Sequence, residues 1–64
     1  MRASQLLTDL GFLAAETRTL HGMLAGACAA KDGELARMLA QDLLNCHGRF
    51  NETYLAFLAA DTPS

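Results

Sequence analysis

Lys31-Asp32-Gly33-Glu34 is the one strongly polar, glycine-containing break near the middle of this 64-residue chain. The sequence on either side of it is helix-forming. Ile and Val are absent, while Leu and Ala occur 12 times each. β-Branched residues favour strands, whereas Leu and Ala lose little conformational freedom in a helix. The only proline, Pro63, stands in the tail Asp61-Thr62-Pro63-Ser64, where it interrupts nothing. The pattern predicts a single all-α domain covering residues 1–64. Its parts are a first helix from about Ser4 to Ala30, a turn at about 31–33, a second helix from Gly33 to about Ala60, and a tail at 61–64. Ser4 reads as the N-cap of the first helix and Asp32 as that of the second, with Glu34 adding a favourable negative charge to the first turn.

Each predicted helix carries a heptad seam, in which apolar positions alternate by three and four residues. The first seam is Ala3, Leu6, Leu10, Leu13, Thr17, Leu20, Leu24 and Ala27. The second is Ala36, Leu39, Leu43, Cys46, Phe50, Thr53, Phe57 and Ala60. Folded back across the turn, facing residues sum to 63: Ala27 with Ala36, Leu24 with Leu39, Leu20 with Leu43, Thr17 with Cys46, and so on to Ala3 with Ala60. This closed register predicts an antiparallel two-helix hairpin. Two helices meeting along one stripe bury little apolar surface for a chain of this length. Leu7, Met23 and Cys28, with Leu35 and Tyr54, widen the stripes beyond a two-helix contact. A homodimer of hairpins, forming a four-helix bundle, is the simplest completion.

This layout resembles that of the Rop (repressor of primer) family, short helical hairpins with a polar central turn that dimerise into an antiparallel four-helix bundle. The resemblance is architectural and spans nearly the whole chain. It implies binding of paired RNA hairpins through basic, polar and aromatic side chains of the first helix, where Phe12, Arg2 and Arg18 stand here. The charge balance points away from nucleic acid. Net charge is −2, and no basic stripe or tail is present.

The outward face of the first helix is nearly uncharged: Gly11, Phe12, Ala15, Arg18, Thr19, Gly22, Ala25, Gly26 and Ala29. A glycine inside a helix costs about 1 kcal/mol relative to alanine, so three of them in one helix call for a reason. A smooth face admits the close approach of another backbone; a packed homodimer face and a kink at Gly11 or Gly22 are the alternatives. The second helix adds an outward stripe of Met38, Leu44, Leu55 and Leu58. Exposed apolar patches of this kind mark interaction sites, and a thicker bundle core is the alternative. The candidate partner-binding residues are therefore Phe12, Ala15, Thr19, Gly22, Gly26, Met38, Leu44, Leu55 and Leu58.

No catalytic residues, cofactor or metal are expected. Ser4 and Ser64 are terminal, the carboxylates are scattered, and no nucleophile–base–orienter set is present. Ala40-Gln41-Asp42-Leu43-Leu44 faintly resembles the Ser-Gln-Glu-Leu-Asp motif of small hairpin phosphatases acting on sporulation response regulators, but Leu44 replaces the acid on which that motif depends. Among His21, His47, Cys28 and Cys46 the register allows at most a His21–Cys46 pair, too few ligands for structural zinc. Arg49 with Glu52, and Glu34 with Arg37, read as surface pairs one turn apart. No apolar run approaches the roughly 20 residues of a membrane span, and Asp9 interrupts any export signal. Two cysteines form no disulfide framework, so the expected setting is the reducing cytoplasm. The expected function is that of a small non-enzymatic interaction module: an adaptor, chaperone-like protein or inhibitor that holds another protein through uncharged helix faces. The alternatives are a Rop-like nucleic-acid-binding regulator and an obligate heterodimer subunit.

Overall fold

A computed structural model describes residues 2–60. The tail 61–64 and the side chain of Arg2 lie outside the described residues. The chain forms two helices of 28 residues each, α1 (Arg2–Ala29) and α2 (Gly33–Ala60), packed antiparallel. They make a rod of 51 × 14 × 11 Å with a radius of gyration of 14.8 Å. No described helix is long and apolar enough to cross a membrane.

The connection occupies Ala30, Lys31 and Asp32, one residue earlier than the predicted turn. The Lys31 amide donates to the carbonyl of Cys28 at 3.0 Å, and the Asp32 amide donates to that of Ala27 at 2.9 Å. These two bonds are the Schellman pair, which satisfies carbonyls left unpaired where a helix ends. Asp32 then caps α2, its Oδ1 accepting from the Leu35 amide at 3.1 Å and its carbonyl from the Ala36 amide at 2.9 Å. The Schellman geometry needs one residue in the left-handed region, and that residue is Lys31, at φ 58°. Gly33 is the first residue of α2 and has no positive φ.

Ser4 is not the N-cap of α1. The helix is already formed at Arg2, and the Ser4 carbonyl accepts from the Thr8 hydroxyl at 3.1 Å. The reason lies in the seam: Ala3 is half-buried, so packing holds the first turn in helical form. Ala30 likewise leaves α1 and enters the turn.

The predicted seam is the packing seam. Every one of its residues is buried or half-buried except Ala60, and Asp9 is the only other described side chain so shielded. The residues most completely removed from solvent, Ala27, Leu39, Leu43 and Cys46, all belong to the half nearer the turn. Farther out, Phe50 and Phe57 present more surface than one facing leucine can cover, and both remain half-buried. Cys46 is fully buried against Thr17, with Sγ 3.1 Å from the Thr17 hydroxyl and 3.7 Å from the Leu13 carbonyl. The Thr17 hydroxyl donates to that same carbonyl at 2.8 Å, so the small layer leaves no polar group unpaired.

Opposite effects are expected at the two ends of the turn. Asp32→Ala removes the cap and should lower stability by about 1 kcal/mol. Lys31→Gly relieves the left-handed conformation, which costs an L-residue about 1–2 kcal/mol; it should raise stability, by less than that because glycine also loosens the unfolded chain. Urea unfolding of the two variants followed by circular dichroism checks both signs.

Candidate interaction surfaces

With the seam fixed, the hairpin has two flanks of different chemistry. Residues that immediately follow Leu6, Leu13, Leu20 and Ala27 in α1, and Leu39, Cys46 and Thr53 in α2, border the seam on one side. They are Leu7, Ala14, His21, Cys28, Ala40, His47 and Tyr54. The contact that marks this side is His21 against His47, with ring centroids 5.8 Å apart and planes tilted by 40°. None of these residues is acidic. Leu44 and Leu58 lie just beyond them on α2, while Arg18 and Arg37 are the cations on this side of the rod. A shallow groove of about 430 Å³ opens here, lined by Ala14, Thr17, His47, Phe50 and Asn51.

The other flank is charged. Asp9, Glu16 and Met23 border the seam on α1, facing Leu35, Asp42, Arg49 and Ala56 on α2. Its marker is the ion pair of Arg49 Nη2 with Glu16 Oε2 at 3.5 Å. Both side chains are at least half exposed, so the pair contributes little stability. It does show that Arg49 reaches across the seam to Glu16 and not along its own helix to Glu52. This is the one ion pair formed among the described residues.

All nine candidate partner-binding residues are exposed, but they do not form a single surface. Phe12, Thr19 and Gly26 lie outside the charged flank of α1, and Met38 lies outside the same flank of α2. In the seam register Met38 is level with Ala25, so about 20 Å of helix separates it from Phe12. Ala15 and Gly22, and Leu55 on the other helix, point directly away from the seam. Leu44 and Leu58 lie toward the histidine flank. The most exposed large hydrophobic side chain among the described residues is Phe12, at 73%. The Thr19 hydroxyl donates to the Ala15 carbonyl of its own helix at 3.2 Å.

The glycines of this face have no packing role inside the hairpin. A Cβ built at Gly11, Gly22 or Gly26 would meet nothing within 4 Å, and α1 runs unbroken through all three. Among the described residues no group of three or more His, Cys, Asp or Glu side chains is placed to hold a metal ion. Cys46 belongs to Thr17 and not to His21; the partner of His21 is His47. The sequence carried a signal for this contact that spacing within either helix does not reveal. Each histidine directly follows a seam residue, Leu20 or Cys46, and on antiparallel helices those following positions share a side. No family model, curated protein or solved structure matches the chain.

Gly22→Ala and Gly26→Ala should each stabilise the isolated hairpin by about 1 kcal/mol, since alanine favours the helix and the added methyl has open space. Thermal unfolding of the two single variants measures this directly.

Proposed function

We propose that the chain is a small non-enzymatic interaction module that pairs with a second copy along its histidine flank and holds another protein against its outer helix faces. The observation that carries this reading is the surface the hairpin leaves uncovered. Its accessible surface is 4902 Å² at a mass of 6.9 kDa. A folded monomer of that mass exposes about 4,000 Å². The surplus of about 900 Å² is close to the roughly 800 Å² that one partner contributes to a stable interface.

The charge distribution favours the histidine flank for self-association. Pairing two charged flanks would bring Asp9, Glu16 and Asp42 of one copy toward those of the other. The histidine flank carries no carboxylate and presents Leu7, Tyr54 and, beside them, Leu44, all exposed. The second copy would complete a four-helix bundle. The outward face of α1 then stays free, with Phe12 as anchor and Gly22 and Gly26 keeping it flat. A partner helix or groove would be held there by docking, with no covalent chemistry. Both cysteines are free thiols, which suits action in a reducing cytoplasm.

Sedimentation and binding experiments separate the two surfaces. Leu44→Glu should convert the dimer to a helical monomer, as read by sedimentation equilibrium and circular dichroism. Phe12→Asp and Gly22→Arg should leave the dimer intact and abolish retention of the protein that the wild-type chain captures at stoichiometry. Retention should be insensitive to nuclease and change little as salt is raised. A steep loss with salt, together with weaker retention by Arg18→Ala, would replace this reading with nucleic-acid binding.

A further inference from the structure

His21 and His47 are the only histidines in the chain. They come from different helices, yet their ring centroids lie 5.8 Å apart. Both are exposed, so burial does not force the rings together. Neither ring has a hydrogen-bond partner among the described residues, and their mutual contact is the one interaction each makes. Four ring nitrogens are therefore available within one small region. No carboxylate borders this flank, and Arg49, two residues beyond His47, is turned to Glu16 on the opposite side.

The spacing is close to that of a chelating pair. With metal–nitrogen bonds of about 2.0–2.1 Å, two imidazoles on one tetrahedral ion have their ring centres about 5 Å apart. A small rotation of either ring closes the difference. Imidazole nitrogens suit late first-row divalent ions such as Zn²⁺ or Ni²⁺, whereas Ca²⁺ and Mg²⁺ require oxygen ligands that this flank lacks. The thiols do not complete the set. Cys46 is buried against Thr17, and Cys28 lies two helical turns from His21, about 10 Å along the axis.

We infer that His21 and His47 form half of an interhelical site for a late first-row divalent transition ion, completed by the same two histidines of a second copy. The inference rests on the proposed pairing along this flank, because one chain supplies two nitrogens and an enclosed tetrahedral site needs four ligands. His47 stands at the middle of α2, so a two-fold axis crossing the flank there sets pair against pair. The groove beside His47, bordered by Ala14 and Asn51, gives incoming side chains room. The ion would act as a clasp, joining two hairpins whose helices each bury only one stripe.

The test uses the full chain carrying Cys28→Ser, which removes the exposed thiol as a competing ligand, stripped of metal and titrated with ZnCl₂. Calorimetry should show one Zn²⁺ per two chains. Sedimentation should show the dimer tightened by about tenfold once free Zn²⁺ exceeds its dissociation constant about tenfold, since an ion held only by the dimer stabilises it by mass action. Co²⁺ in place of Zn²⁺ should give the intense visible bands of tetrahedral coordination. His21→Gln and His47→Gln should each remove uptake and the effect of zinc, with helicity and the zinc-free oligomeric state unchanged. A chain that is dimeric without zinc and takes up none overturns the metal site and leaves the pairing standing. A chain that stays monomeric and binds one ion per chain overturns both. Uptake that persists in the double His→Gln variant also overturns the site.

Discussion

The three-residue connection at Ala30, Lys31 and Asp32 has no slack, and the rest of the structure follows from that. Asp32 ends one helix through its amide and starts the next through its carboxylate and carbonyl. Because the same residue serves both helices, neither can slide without losing bonds at the turn. Ala27 is thereby set opposite Ala36, and every later layer inherits the register. A looser loop would permit a slip of one heptad with a comparable apolar stripe on each side. The left-handed Lys31 is the strained part of this arrangement, and it is held by the two backbone bonds on either side of it.

A register fixed at one end also decides where protection from solvent lies. The layers near the turn join small or medium residues, and they contain all four buried side chains, Cys46 among them fully so. Toward the open end the seam widens to Phe50 and Phe57, whose rings exceed what α1 offers opposite them. Phe50 stacks instead on Tyr54 of its own helix, with centroids 6.1 Å apart and planes at 15°. That stacking directs aromatic surface to the histidine flank. The incomplete cover at this end and the apolar character of that flank share one cause: bulk on α2 that a single partner helix does not enclose.

The fold was legible in the sequence because it depends on period and on one cap. The seam positions and Asp32 could be read from residue type and spacing, and the buried and half-buried residues fall on them, apart from Ala60 at the open end and the added Asp9. The misses have physical reasons. Ser4 has the chemistry of a cap, but tertiary packing of Ala3 outweighs that local preference. No residue type marked Lys31 as the left-handed position; the Schellman pair that ends α1 puts it there, one residue before the Asp32 cap. The candidate binding residues were chosen helix by helix as outward-facing. Outward on two helices means three different directions on the rod, so Met38 and Leu44 leave the same helix on opposite sides.

The sidedness of the flanks is the feature that single-helix periodicity hides. A charge beside the seam looks alike in either helix until the pairing assigns it a side. Once assigned, Asp9, Glu16 and Asp42 collect on one flank and His21 and His47 on the other, with Arg49 drawn across the seam to the acidic side. A rod 51 Å long and 11 Å thick has no interior beyond its seam in which to assemble an enclosed site. Whatever chemistry it performs must be presented on a flank or an outer face. Of these, the histidine flank alone combines exposed apolar side chains, an open groove, freedom from carboxylates and two imidazoles with unoccupied nitrogens. The proposed burial against a second copy would use all four properties together, since apolar area would drive the contact, the groove would accept side chains, and the imidazoles would meet no carboxylate.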